Sequence, residues 1–401
     1  MLYTSMGATA VAALLLVMGY FISQDGFLAS SGHVPPPILL PNVDADTNRR
    51  CHLAHNDFLA MLTPGRYTNS SFFACFRTSA QIVEFVRALV AQNPHVLTTT
   101  AIATTTSGAP ILGYTLSTDP TAHANRTLYI QSLLHGREWV AGSSLLFTLA
   151  SLLDAMAVGE STIADTFDLL FVPLVNVDGY DLSWTTDRDH RKNANNVDLN
   201  RNWPTPFVDP NPPPPTDEAY AGPMALSEVE TSSLHRYLLA HQHKMLGYLD
   251  IHACLGTILY AFGDTHAPLG HGDDQKYHVL AYAIQLAMGL DTYDAEPVWH
   301  VYDAFGGFTD FTFRTFHKPS ITIEVAGDDF AVPATDIRRR GQEVLAGVVA
   351  FANGVDEFNR PTNETRWDSS GGLRSAISST TNQGATWGWL VVAGVVGTGW
   401  L

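Results

Sequence analysis

The chain has 401 residues, with 22 Lys plus Arg against 39 Asp plus Glu, for a net charge of −17. Hydrophobic residues make up 46%, enough to bury a sizeable core, which excludes a disordered chain. The acidic balance excludes nucleic acid as a partner, because phosphates are repelled by such a surface.

At the N-terminus, Ala8 to Ile22 is apolar but shorter than the ~20 residues of a membrane span. With Ala29, Ser30 and Ser31 behind it, residues 1–31 read as a signal peptide or signal anchor. Residues 32–69 contain VPPPILLPN and read as an irregular leader. Cys51 and Cys75 lie 24 residues apart and can close one bridge, worth about 3 kcal/mol in the loop-entropy model. Cys254 is then a lone thiol. Sequons at Asn69, Asn125 and Asn363 suit a secreted glycoprotein.

The folded part spans residues 70–354. Thr78 with Gln81 makes a capping box, followed by Ile82, Phe85, Val86 and Leu89 at helical spacing, and Asn93-Pro94 stops the helix. Leu128–Leu134 reads as a strand, Trp139–Leu153 as a helix, and Leu169–Val175 and Leu246–Ile251 as buried strands. Pro204 to Pro215 is a surface loop. Ser227 with Glu230 opens a helix carrying Leu234, Tyr237 and Leu238. Tyr277–Leu290 is a helix, Ile321–Val325 a strand and Thr335–Ala352 the last helix. Strands alternating with helices predict a single α/β domain with helices on both sheet faces. Beyond it, residues 355–386 form a polar Ser/Thr/Gly-rich tail and 387–401 an apolar segment. That pair reads as a GPI signal or tail anchor, so the expected location is extracellular, either secreted or tethered at the cell surface.

The chemistry concentrates at His135-Gly136-Arg137-Glu138, where a strand ends and a helix begins. His252 follows another apolar strand, in LDIHA. Two imidazoles and one carboxylate make a three-ligand zinc site with a fourth position open to water. A structural zinc favours four ligands with several Cys, which this chain lacks. Of the remaining histidines, His241, His243, His266, His271, His300 and His317 read as surface.

Further segments are VNVDGY, WTTDRDHRKN, VDLNRNW, VYDAFGG and TIEV. With HGRE and LDIHA, in this order over about residues 70–354, the chain resembles the zinc carboxypeptidases of the A/B type, the funnelins. The resemblance implies a mixed parallel/antiparallel sheet and one zinc held by His135, Glu138 and His252. It implies Glu324 as catalytic carboxylate, Arg191 as oxyanion-stabilising arginine with Arg188 of the same charged cluster as its rival, and Asn200 with Arg201 on the substrate's terminal carboxylate. Tyr302 matches the mobile tyrosine and Arg137 a secondary substrate-contacting arginine. Thr309, seven residues past Tyr302, matches the pocket floor, and its neutrality implies uncharged, hydrophobic or medium-sized C-terminal residues. Asp303 and Asp310 keep a basic preference as the alternative, and a zinc amidohydrolase on non-protein amides is a further rival. The expected partners are peptide or protein C-termini, with a membrane only through the terminal segment, for a monomer without the long inhibitory prodomain or the appended β-sandwich of other members.

Overall fold

The computed structural model describes residues 42–361. The expected signal segment, the Pro-rich stretch, the sequon at Asn363 and the apolar C-terminal run lie outside them. The strands are β1 (Leu97–Thr104), β2 (Pro110–Leu116), β3 (Thr127–Ser132), β4 (Asp168–Val172), β5 (Met245–Cys254), β6 (Thr257–Tyr260), β7 (Asp294–Pro297) and β8 (Ser320–Ala326). Among the described residues they form one sheet in the order β1-β2-β4-β3-β5-β8-β6-β7. The centre, β4-β3-β5-β8, is parallel. Antiparallel pairs join β1 to β2, β2 to β4 and β6 to β8, so the sheet is mixed.

The helices are α1 (Val43–Ala54), α2 (Ser79–Gln92), α3 (Trp139–Ala157), α4 (Val177–Thr185), α5 (Val229–His241), α6 (Asp273–Met288), the single turn α7 (Val298–Val301), α8 (Phe308–Phe316) and α9 (Ile337–Phe358). Side chains alternate across a strand, so β3 feeds two cores. Leu128 and Ile130 join the main cluster with residues of α3, α6 and α9, while Tyr129 joins a second cluster with residues of α5 and α8. Helices therefore cover both faces, and strands buried on both sides need the near-continuous apolar runs that the sequence carries. Helix α3 is long and apolar enough to cross a membrane, but most of it is buried and it packs on α9 and the sheet. It is a core helix.

Three expectations change. The stretch 32–69 is not irregular throughout, because α1 forms with Asn42 as its cap, the Oδ1 accepting from Ala45 N at 2.9 Å. Phe58, Leu62 and Tyr67 enter the main core, and the Cys51–Cys75 disulfide ties α1 to the body. The polar sequence of α1 has little apolar periodicity, so tertiary contacts specify it: Asn42 Nδ2 donates to Ser183 O at 2.8 Å, and Arg188 Nε to Asp44 Oδ2 at 2.6 Å. At the other end, α9 continues through buried Val355 and Phe358, so the folded body passes residue 354 and takes in the first residues assigned to the tail. Ser227 does not cap α5, since Glu228 holds that position and the Ser227 hydroxyl donates to the Glu228 carboxylate at 2.7 Å. The Thr78–Gln81 capping box is present as expected.

Candidate active site

The carboxyl ends of the parallel strands carry the site, the usual place for ligands in such sheets. His135 and Glu138 occupy the turn between β3 and α3. His252 lies within β5, rather than after the strand, and Glu324 is its register partner on β8. The HGRE turn packs tightly: a Cβ at Gly136 would meet Gly179 O at 2.2 Å, so no larger residue fits. Asn176 caps α4 and donates to Leu134 O at 3.0 Å and Lys192 O at 3.2 Å, which pins the turn against the segment carrying Arg191.

His135, Glu138 and His252 are buried, and one ligand atom from each lies within 4.8 Å of the others. Glu138 Oε1 is 2.7 Å from His135 Nδ1, Glu138 Oε2 is 2.9 Å from His252 Nδ1, and the two Nδ1 atoms are 3.1 Å apart. The outer nitrogens face carboxylates: His135 Nε2 is 3.1 Å from Asp198 Oδ1, and His252 Nε2 is 2.9 Å from Asp250 Oδ2. Both Nδ1 atoms are thus turned inward beside a carboxylate, a donor set that a divalent cation fits. Burial raises the Glu138 pKa, but His135 and His252 outweigh it and leave the group below the usual range, so the ligand stays ionised.

A cavity of about 260 Å³ opens beside this cluster. Arg191, Asn200, Arg201, Tyr302, Thr309 and Glu324 line it, together with His135 and Glu138. Arg191 donates through Nε and Nη2 to Asp198 Oδ2 at 3.0 and 2.8 Å, and its Nη1 is 3.2 Å from His135 Nδ1. Asn200 Oδ1 accepts from Phe308 N at 2.8 Å, and its Nδ2 is 3.3 Å from His252 Nε2. Arg201 gives one donor to Asn200 O at 2.8 Å and has no carboxylate in ion-pair range among the described residues. Its Cζ stands 5.6 Å from the Tyr302 ring centroid, and Tyr302 is 39% exposed at the cavity mouth. Burial, then the charge of Glu138, pushes the Glu324 carboxyl up to about 7, and its Oε2 has no hydrogen-bond partner.

Thr309 is buried, with its hydroxyl 2.7 Å from that of Thr322. Asp310 also lines the cavity, but Asp303 pairs with exposed His266 at 2.7 Å. Arg137 is not brought into the cavity: its guanidinium binds Glu218 and stacks over Phe330, which is part of the cavity wall. His243, His266, His271, His300 and His317 are exposed and His241 is half-buried. Asp198 and Asp250 were missed as partners of the imidazoles. A signal existed for Asp250, two residues before His252 and so on the same strand face.

Comparison with known proteins bears on the family and the fold. The zinc carboxypeptidase family model matches residues 82–347. Human carboxypeptidase A1 is 27% identical over 308 residues, covering 73% of each chain. Zinc carboxypeptidase A 1 of Drosophila melanogaster is 27% identical over 312 residues, covering 73% of this chain and 72% of its own. The crystal structure of carboxypeptidase A from Helicoverpa armigera superposes with a TM-score of 0.67 at 24% identity, over 78% of this chain and 81% of that one, which bears on the fold alone. The chain belongs to the zinc carboxypeptidase family. Within it, this is a metallocarboxypeptidase of the A/B type, an enzyme that uses one zinc and cleaves at peptide C-termini.

Proposed function

We propose that the enzyme releases uncharged C-terminal residues, and that the side chains around the cavity divide the work as follows. A zinc held by His135, Glu138 and His252 supplies a Lewis acid that acidifies water and polarises a carbonyl. Glu324 takes the proton of the attacking water and hands it to the leaving amine, a role suited to a carboxyl with a pKa of about 7. Arg191, held rigid by Asp198, stabilises the developing oxyanion. Arg201 and Asn200 hold the terminal carboxylate, and Tyr302 closes over it. One observation carries this reading. Of the two arginines that line the cavity, Arg191 has a carboxylate partner, whereas Arg201 has none among the described residues, so it offers an open fork for a substrate carboxylate.

The preference rests on the neutral Thr309 and Thr322 hydroxyls and on the apolar cluster of Leu259, Val298 and Ala304, all lining the cavity. A basic preference has one observation in its favour, the buried, unpartnered Oδ1 of Asp310. Against it, Asp310 Oδ2 already accepts from Gly263 N and Asp264 N, and Arg314 stands 3.9 Å away. One peptide series ending in Phe, Gln or Arg decides between them: faster release of Arg overturns the uncharged preference. The same series as C-terminal amides tests the amidohydrolase, which would turn over acid and amide alike. Secretion is proposed from the apolar N-terminal run, and the exposed Asn69 and Asn125 and the Cys51–Cys75 disulfide support it.

A further inference from the structure

Phe330, in the segment after β8, forms part of the cavity wall, and two arginines hold it. Arg137 lies over its ring, with Cζ 4.0 Å from the centroid. Arg188 donates to its carbonyl at 2.7 Å. Each arginine meets an acid from a distant part of the chain. Glu218, in the loop before α5, accepts from both terminal nitrogens of Arg137 at 2.9 and 3.0 Å, and Asp44 of α1 accepts from Arg188 Nε at 2.6 Å. The Glu218 side chain is 65% exposed while that of Arg137 is 10% exposed, so the acid lies over the arginine from the solvent side.

We propose that Glu218, with Asp44 in support, is a specificity-determining residue that keeps substrate carboxylates off the upstream wall. The inference rests on the carboxypeptidase reading. If the terminal side chain points toward Thr309, the residues before the scissile bond leave past the rest of the lining, Phe330 included. A free guanidinium there would bind a carboxylate in the same two-pronged way as Glu218 does. It would favour substrates with Asp or Glu upstream, and it would compete with Arg201 for the terminal carboxylate in a non-productive pose. With Glu218 in place, Arg137 supports Phe330 without attracting acid, and Arg201 remains the open carboxylate receptor.

The test uses two peptides of one series, with Ala or Glu as the residue before the terminal one. Their ratio of kcat/KM is measured for the zinc-loaded wild type, Glu218→Gln, Glu218→Asp and the double variant Glu218→Gln/Arg137→Met. Glu218→Gln should raise the Glu-to-Ala ratio roughly three- to tenfold at low salt, the rise shrinking with added NaCl. Glu218→Asp should stay near wild type, and the double variant should lose the gain. An unchanged ratio in Glu218→Gln, or an equal rise in the double variant, overturns the role of Glu218. Failure of the wild type to cleave even the Ala peptide would instead overturn the carboxypeptidase reading.

Discussion

Asp198 joins Arg191 to His135: one carboxylate oxygen is 3.1 Å from the imidazole Nε2, and the other accepts from Arg191 Nη2 at 2.8 Å. A single buried acid thus orients a proposed zinc ligand and the proposed oxyanion donor together. Burial raises its pKa, but Arg191 and then His135 more than offset that and hold it well below the usual range, so it stays charged across the working pH.

Asp198→Asn should therefore damage two functions at once. Zinc affinity is expected to fall about 10–100-fold, as for other losses of a carboxylate behind a ligating imidazole. Competition with a chelator measures that loss. Turnover of the zinc-saturated variant should remain low, because Arg191 has lost its anchor; full recovery with excess zinc would leave Asp198 as a support for His135 alone.

Glu324→Gln separates metal binding from chemistry. The variant should keep one zinc per chain by elemental analysis and lose turnover about 10²–10⁴-fold. Its register partner His252 and the other two proposed ligands, His135 and Glu138, are untouched. A variant that kept its rate would show that another group moves the proton.

Arg201→Ala is expected to lower kcat/KM by about two orders of magnitude and to shrink the gap between a peptide and its C-terminal amide. Arg201→Lys should recover only part of the loss, because an ammonium lacks the planar fork. The peptide-to-amide ratio is the informative measurement, since a general loss of folding would lower both rates together.

Asp310 is expected to make stability depend on pH. Burial first, then the nearby Asp264, raises its pKa from 3.8 to about 7. The folded chain therefore binds more protons than the unfolded one between those values, and the stability from the neutral carboxyl is lost as pH rises through 7. Asp310→Asn should be less stable relative to wild type at pH 4 than at pH 8. Thermal midpoints of the zinc-loaded proteins at both pH values check this, and a constant difference would leave Asp310 uninvolved.

Much of the parallel centre was legible in the chain. The apolar runs around Leu128, Leu169, Leu246 and Ile321 all became strands, because a strand covered on both faces needs continuous hydrophobic residues. The outer strands were not: β1 is LTTTAIAT, mostly exposed, and β7 is DAEP, so neither carries a burial pattern to read. Helix α1 escaped for the same reason, since a disulfide and polar contacts hold it rather than an apolar stripe.

The linear order of residues determined which chemistry was available: a His and a Glu three apart at the end of a strand, a second His in another strand, and an Asn-Arg pair between them. Residue type and local spacing suffice for that, because donor chemistry belongs to the side chain and strand or helix periodicity is local. Only the tertiary structure decided which arginine stays open. Arg137, Arg188 and Arg191 are matched by Glu218, Asp44 and Asp198, and two of these acids lie far away in sequence. An ion pair depends on distance in space, and packing of the sheet, the Pro-rich loop and α1 sets those distances. Of four guanidinium groups alike in sequence, three are thereby paired and Arg201, the proposed receptor, is left open among the described residues.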